Sequence, residues 1–462
     1  MTQVRAGDRL TAEDAAFLYL EKDEMPLHIG SVSTFDGVIP FEPLLEYVES
    51  RLPLIPRYRQ RLVTPPFHVG HPTWEDDPDF DLRKHVFLTT LKRGTETELR
   101  KLAGNVFGRV MDRTKPLWDL LLVHGLDGGR CGLIARVHHC LADGVSGAGL
   151  MNVMLNAEAF SPPARAKPKR DQRRPFPGAE TSLADALASS YSEMVNRVLA
   201  AQSATLKILE GLASEQNVGG FQELARMIPG MLTPVERLPF NRPLAGPRRI
   251  AWARYSLDEV KAIKNSRGAT VNDVVLTAVT RALRALAARR GQDLRAVVAA
   301  VIVTAREAAA PGELGNRVGV MPVRLPAAGP GGAELGRDVQ LGAIAAITRA
   351  HKTARRGSSA GLLRPVFRSL SLLHVLPWAI NHQRLVNVFV TNLRGPAVRQ
   401  RLAGAEVTGI LPITLIAGNV TLSFAVLSYA GLLSVVITAD PGCHPDYAEL
   451  AALLQAELDG CR

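Results

Sequence analysis

The feature that most constrains the fold is a short polar stretch between two apolar segments. Residues 138–144 read His-His-Cys-Leu-Ala-Asp-Gly. Residues 131–137 before them are apolar and partly β-branched, as in a buried strand, and residues 145–157 after them are rich in Ala, Leu and Met, as in a helix. The polar stretch is therefore expected at a strand-to-helix turn. Because consecutive strand residues point to opposite faces, we expect one of His138 and His139 to be reactive and the other structural.

Four residues of this stretch form a spaced motif, His138-His139-x-x-x-Asp143-Gly144. A single histidine is usually a core or surface residue, but a chance match to all four positions is expected in roughly one such chain in a thousand. The motif resembles that of the CoA-dependent acyltransferase superfamily, which includes chloramphenicol acetyltransferase and the condensation domains of peptide synthetases. The resemblance implies acyl transfer and leaves the substrate open.

Length and composition predict a globular protein of two domains. The chain has 462 residues, of which 47% are hydrophobic and 21% charged. The four cysteines lack metal-binding spacing, so we expect neither a metal site nor a disulfide scaffold. The N-terminus has no signal-peptide core, which favours a cytoplasmic protein. Residues 407–439 lack charge but are interrupted by Pro and Gly, so we expect two buried strands, over residues 419–428 and 432–438, and not a membrane span.

The net charge of +11 favours a polyanionic partner or a plain basic surface. Nucleic acid is not expected, because zinc-finger spacing, an RNP motif and basic-zipper heptads are all missing from the sequence. Residues 339–405 contain no acidic residue, and apolar and basic positions alternate there. This segment fits a helix lying on an anionic membrane or lipid droplet, and it equally fits a helix packed on its own domain with a solvated basic edge.

Local patterns place the remaining motifs of the first half. Thr11-Ala-Glu-Asp14 has capping-box spacing and predicts a helix over residues 15–20, followed by an extended segment over residues 26–35 that contains His28. His28 is interpreted as a satisfied strand histidine or a polar group near the site. Pro116-Leu117-Trp118 introduces a predicted hairpin, with Trp118 as a packed aromatic that holds the catalytic strand.

The second half begins after a connection rich in proline and positive charge. Residues 161–177 predict an exposed linker, residues 181–232 predict helices, and residues 234–247 form another break. Thr270-Val-Asn-Asp273 has capping spacing and predicts a helix over residues 274–290 with Asn272 and Asp273 at its start. Residues 298–303 predict a fully buried strand.

These elements together resemble the bacterial wax ester synthase/diacylglycerol acyltransferase family over nearly the whole chain. The shared elements are the opening helix, Pro26-Leu-His-x-Gly30, Pro116-Leu-Trp118, Asn272-Asp273, Gly315-Asn316 and Thr391-Asn-x-x-Gly-Pro396. Leu27 stands where the family has Met, Thr391 replaces Ser, and Arg394 stands at a position often occupied by Pro. The resemblance implies an α/β fold of two chloramphenicol-acetyltransferase-like domains. Each would be a mixed sheet with flanking helices, with the active-site channel between them, at residues 1–160 and 248–462 joined by a connection over residues 161–247.

The resemblance also implies roles for the motif residues. His139 is the expected general base, because the second histidine has that role in the superfamily, and Asp143 would pair with an arginine to fix the turn. Gly144 would permit a backbone geometry closed to other residues. Asn272 and Asp273 are substrate-binding candidates, Asn272 near the oxyanion and Asp273 with helix capping as its simpler role. A Cys140 nucleophile is not expected, because adjacent strand residues point apart.

The implied activity is O-acyl transfer from a long-chain acyl-CoA to a lipid alcohol, either diacylglycerol or a fatty alcohol. Acyl-CoA would be a co-substrate, and no cofactor is expected. Two alternatives stay open, namely an acyltransferase of secondary metabolism that uses a carrier-protein thioester and a non-catalytic lipid-binding protein of the same fold.

Overall fold

Two mixed β-sheets form the body of the protein. The computed structural model describes residues 9–65, 71–141, 153–155, 238–304, 318–355 and 376–459. The strands in these ranges are β1 (His28–Asp36), β2 (Gln60–Val63), β3 (Thr73–Asp76), β4 (Val86–Thr90), β5 (Trp118–Leu126), β6 (Arg130–His138), β7 (Arg249–Ser256), β8 (Ala296–Thr304), β9 (Val318–Pro326), β10 (Val388–Arg394), β11 (Arg401–Leu402), β12 (Ala405–Ile413), β13 (Leu422–Tyr429) and β14 (Leu432–Ala439). The α-helices are α1 (Ala12–Leu20), α2 (Phe41–Arg51), α3 (Glu96–Phe107), α4 (Leu257–Ser266), α5 (Val271–Arg289), α6 (Arg337–Arg355), α7 (Leu376–His382) and α8 (Tyr447–Asp459).

The first sheet carries the histidine pair. Its six strands lie in the order β11-β12-β1-β6-β5-β4, all antiparallel except the parallel pair β4 and β5. The predicted hairpin is confirmed, because β5 and β6 pair antiparallel with Trp118 opposite Val137. On the other side of β6, His28 of β1 lies opposite His138. The outer face of this sheet packs on α2 through Leu44, Leu45 and Val48.

The second sheet has six strands in the order β7-β14-β13-β10-β8-β9. Strands β13 and β14 form the two buried strands predicted from residues 407–439, and they pair antiparallel. Helix α5 confirms the helix predicted after Thr270, and its apolar side packs into the same core as Leu450 and Leu454 of α8. The prediction of a mixed α/β fold is therefore confirmed.

The chain crosses between the sheets near its C-terminal end. Strands β11 and β12 belong to the first sheet, where β12 pairs with β1 over Gly30–Asp36, and the chain then returns to the second sheet as β13. The predicted division at residues 160 and 247 remains a prediction, since residues 156–237 lie outside the described residues. A division of the chain into two contiguous halves does not account for β11 and β12, which follow β10 in sequence but belong to the first sheet.

An apolar core joins the inner faces of the two sheets. It contains Val32, Ile134 and Leu411 from the first sheet, Ile250, Trp252 and Val436 from the second, and Leu99, Ala103 and Phe107 from α3. At its edge the Arg100 guanidinium lies 4.5 Å from the centre of the Trp252 ring, and the indole N–H donates to Glu96. Within the described ranges, no helix has the length and apolar composition needed to cross a bilayer.

Candidate active site

The backbone of the histidine pair is fixed by two motifs that the sequence had singled out separately. His138 is the last residue of β6, and its N–H donates to the Leu117 carbonyl at 3.0 Å. The N–H of His139 donates to the Leu27 carbonyl at 2.9 Å. The central leucines of Pro-Leu-Trp and Pro-Leu-His therefore hold the two histidines from either side.

The His138 side chain is fully buried and serves the structure. Its Nδ1 atom accepts a hydrogen bond from the Cys140 backbone N–H at 3.1 Å, so Nδ1 carries a lone pair. In the neutral ring the proton then sits on Nε2, which lies 3.3 Å from Oε2 of Glu21. The turn thus orients the His138 ring, with Nδ1 accepting from the Cys140 N–H and Nε2 facing Glu21.

Glu21, immediately after α1, is the hub of this buried cluster. Its Oε1 accepts from the Leu27 N–H at 2.9 Å and lies 3.1 Å from Nε2 of His28, while its Oε2 accepts from the Arg113 guanidinium at 3.0 Å. Burial by itself would raise the pKa of Glu21, but the hydrogen bonds from His138 and His28 outweigh it and hold the pKa well below its usual range. The carboxylate is therefore ionised and has a donor on each side.

His28 is the neutral neighbour in this cluster. Burial lowers its pKa to about 4, although the Glu21 carboxylate opposes that shift. Its ring meets the His138 ring edge-on, with centroids 5.6 Å apart. His28 is a buried strand histidine as predicted, but it is not fully satisfied, because its Nδ1 has no hydrogen-bond partner among the described residues.

Glu21, His28 and His138 place one ligand-type atom each within 4.8 Å of one another, which raises the question of a metal ion. Two observations argue against one. Binding at Nε2 of His138 would require the proton on Nδ1, where the Cys140 N–H already points. The Arg113 guanidinium also occupies Oε2 of Glu21 with a positive charge. We therefore regard the cluster as a structural hydrogen-bond network.

His139 has quite different surroundings. Its side chain is half-buried, and its imidazole stacks on the Phe17 ring with centroids 4.1 Å apart and planes inclined by 19°. The Nδ1 atom is shielded from solvent. The structure thus separates the pair, with His138 used internally and His139, the first residue after β6, placed against an aromatic ring.

Trp118 packs in the core as predicted. It is 2% exposed, its indole N–H donates to the Tyr58 carbonyl at 2.8 Å, and its ring lies between those of Tyr58 and His85. Pro116 accepts from the Trp118 N–H at 3.0 Å, which shapes the entry to β5.

Asn272 and Asp273 lie in the first turn of α5. Asp273 is buried and completes a capping box with Thr270, and its second oxygen accepts from the Thr348 hydroxyl at 2.7 Å. The Asn272 side chain accepts from Asn392 of β10 at 3.3 Å, which brings together two motifs distant in sequence. The capping role of Asp273 is confirmed, and substrate binding by either residue stays a prediction.

Several predictions fall outside the described residues. Asp143, Gly144, the linker over residues 161–177 and the helices over residues 181–232 lie there, as does most of the helix predicted over residues 145–157. Conversely, sequence reasoning missed Glu21, Arg113 and Phe17. One signal pointed towards Glu21: two histidines predicted in apolar strands need a polar partner, but several acidic residues of the first half could have supplied it.

The sequence of this chain is similar to those of known proteins. Residues 10–275 match the family model described as the wax ester synthase/diacylglycerol acyltransferase catalytic domain, and residues 314–461 match the model of the WS/DGAT C-terminal domain. A probable diacylglycerol O-acyltransferase of Mycobacterium tuberculosis is 30% identical over 464 residues, which cover 96% of this chain and 93% of that protein. A second, putative one from the same organism is 27% identical and covers 96% and 87%.

Solved structures agree on the fold. The wax ester synthase/diacylglycerol acyltransferase from Marinobacter aquaeolei superposes with a TM-score of 0.67 at 21% identity and covers 98% of both chains. The first condensation domain of the calcium-dependent antibiotic synthetase gives a TM-score of 0.61 at 16% identity, covering 98% of this chain and 95% of that one. At these identities the two superpositions establish the two-sheet architecture only.

Proposed function

This chain belongs to the wax ester synthase/diacylglycerol acyltransferase family and is an acyltransferase, and from that premise we propose that it moves a long-chain acyl group from acyl-CoA to a lipid alcohol. The acceptor would be diacylglycerol, giving triacylglycerol, or a fatty alcohol, giving a wax ester. His139 is the proposed general base. The names of the mycobacterial relatives favour diacylglycerol.

The chemistry needs one imidazole and both substrates together. His139 takes the proton of the alcohol, the oxygen attacks the thioester carbonyl, and the tetrahedral intermediate collapses with release of the CoA thiolate. The imidazolium then protonates the sulfur. Protons balance without an acyl-enzyme, so both substrates must be bound at once.

One observation carries the assignment of the base. The two ring nitrogens of His138 are engaged by the Cys140 N–H and by Glu21 in a fully buried cluster, whereas His139 is half-buried beside it. This difference supports His139, rather than His138, as the base. The adjoining apolar cluster includes Leu20, Met25 and Leu27 with Ile380 and Leu415 from the second half of the chain, which suits a lipid partner.

Apolar burial is sufficient to hold the acyl chain. A sixteen-carbon chain moved from water into an apolar channel gains on the order of 10 kcal/mol, at about 0.8 kcal/mol per methylene. Selectivity among acyl chains should therefore follow channel length more than specific polar contacts.

The test is an assay of His139→Ala with labelled palmitoyl-CoA, against diacylglycerol and hexadecanol separately, with the lipid products resolved. We expect a loss of roughly 10²- to 10⁴-fold with an unchanged circular-dichroism spectrum. His124→Gln, on β5 of the same sheet, is the matched histidine control. An unchanged rate in His139→Ala would exclude the base. Wild-type turnover with a carrier-bound donor alone would select the carrier-protein alternative, and turnover with neither donor would select lipid binding.

We also propose that the protein works at the cytoplasmic surface of an anionic membrane or lipid droplet. The support is the net charge of +11, the acid-free segment 339–405 and the 66% exposure of Trp378 in α7. Residues 356–375 of that segment lie outside the described residues.

Flotation with phosphatidylglycerol vesicles should weaken when Arg355, Arg356 and Arg364 are replaced by Gln. Replacing Arg83, Lys92 and Arg93 instead is the charge-matched control, and equal flotation of both triple variants would refute the assignment.

A further inference from the structure

We propose that Phe17 is a positioning residue for His139, with its ring serving as the platform that fixes the plane of the catalytic imidazole. The inference rests on the proposed function, because it takes His139 as the base. It is carried by the stacked geometry, with centroids 4.1 Å apart and ring planes 19° from parallel.

The platform belongs to a turn that serves both histidines. Phe17 lies in the last turn of α1, and its carbonyl accepts from the Glu21 N–H at 3.1 Å. Residues four apart lie on the same side of a helix end, so this turn presents the Phe17 ring to His139 and the Glu21 carboxylate to His138. The adjacent Leu18 carbonyl accepts from Arg113 at 2.8 Å, which ties the turn to the strands behind it.

The stack on Phe17 acts on the plane of the imidazole ring, which the backbone hydrogen bond of His139 does not set. The hydrogen bond from its N–H to Leu27 fixes the main chain. The torsion that turns an imidazole about its last bond has broad, roughly two-fold preferences. Stacking on an aromatic ring contributes about 0.5 to 1.5 kcal/mol and selects one plane. Because Nδ1 is shielded from solvent, the proposed proton transfer would use Nε2.

The platform also suits the charge that develops during the reaction. When His139 takes the alcohol proton, the imidazolium lies over the face of the Phe17 ring, where a cation is stabilised by the ring quadrupole.

A positioning role and a substrate-lining role differ in the kinetic constant they affect. If Phe17 only lined the acyl channel, its removal would raise KM for acyl-CoA. If it orients the base, its removal lowers kcat and leaves KM nearly unchanged.

The experiment compares Phe17→Leu, Phe17→Tyr and Leu18→Val in the full chain. We expect kcat of Phe17→Leu to fall about 10- to 100-fold with KM for palmitoyl-CoA changed by less than about twofold. Phe17→Tyr keeps the ring and should recover most of the rate. Leu18→Val, from the same turn and buried in the first sheet's core, should cost stability without this kcat loss. A Phe17→Leu loss confined to KM, or no rescue by Tyr, would overturn the proposal.

Two further measurements separate this proposal from the proposed function. If His139→Ala is inactive while Phe17→Leu is fully active, the platform is wrong and the base stands; if His139→Ala is fully active, the base itself is wrong. In addition, the ring protons of His139, assigned by their loss in His139→Ala, should resonate upfield in the wild-type protein because of the Phe17 ring current. Their position should move downfield in Phe17→Leu, and an identical position in the two proteins would exclude the stack.

Discussion

The buried cluster around Glu21 makes stability depend on pH in a way that one substitution can isolate. His28 is neutral in the folded protein because burial lowers its pKa from 6.5 to about 4. Above pH 6.5 both the folded and the unfolded chain leave it unprotonated, so it adds no pH dependence there. Between pH 6.5 and 4 the unfolded chain binds the proton and the folded one does not, so stability falls as the pH falls. Below about pH 4 the effect levels off.

The size of this effect follows from the shift. At 1.36 kcal/mol per pKa unit, a shift from 6.5 to about 4 corresponds to about 3 kcal/mol of stability lost across that window. His28→Gln keeps an N–H donor for Glu21 but removes the titration. The free energy of unfolding of both proteins is measured in urea at half-unit steps from pH 7.5 to 4. Between pH 6.5 and 4, the difference between variant and wild type should shift by about 3 kcal/mol in favour of the variant.

A pH-independent control sets the baseline. Ile29→Val, the neighbouring core residue of β1, should cost about 0.5 to 1.5 kcal/mol at every pH. His444, whose pKa is also lowered by burial to about 4, should give a second and additive difference when replaced by Gln. A difference between wild type and His28→Gln that stayed constant from pH 6.5 to 4, or grew with the opposite sign, would refute the reasoning.

Two other predictions concern packing around the same strands. Glu21→Gln removes the negative charge that Arg113, His138 and His28 share. We expect the free energy of unfolding in denaturant to fall by about 3 to 5 kcal/mol and turnover to be strongly reduced. The control Arg83→Gln, from an exposed pair with Glu42, should leave the unfolding midpoint unchanged. A Glu21→Gln variant with normal stability would contradict the hub. Gly30→Ala would place Cβ 1.9 Å from the Ala135 carbonyl and 2.9 Å from the Phe107 ring, so we expect a loss of more than about 2 kcal/mol or failure to accumulate in soluble form. Gly342→Ala in α6, whose Cβ meets nothing within 4 Å, is the glycine control, and similar thermal midpoints for the two alanine variants would count against this account of Gly30.

Local sequence patterns were enough to predict several elements of the fold. The β5–β6 hairpin, α5 and the β13–β14 pair were predicted because their signals, alternation, a capping box and a short turn, lie within a few residues of one another. The separation of His138 from His139 was predicted from strand alternation, but β6 ends at His138, so the turn after the strand produces it. Sheet order did not follow, because the pairing of β12 with β1 joins residues 405–413 to residues 28–36 and leaves no local mark.

The same limit applies to the site. Glu21 meets His28, Arg113 and His138 only in the fold, and at the end of an apolar helix it has the sequence appearance of a solvated residue. Phe17 likewise has the appearance of an ordinary core aromatic. Pairs such as Asn272 with Asn392 needed the sheet and the helix to be in place before their meeting could be seen.

The pairing of β12 with β1 also determines when the first sheet can be completed during synthesis of the chain. The edge of β1 stays without its neighbour until about 370 more residues have been translated, which at 5 to 20 residues per second takes roughly 20 to 75 seconds. During that interval the nascent first sheet offers an open backbone edge to other chains on the polysome. Expression of soluble protein should therefore depend on holdase chaperones. The first 250 residues made alone should aggregate unless the remaining segment is supplied in trans.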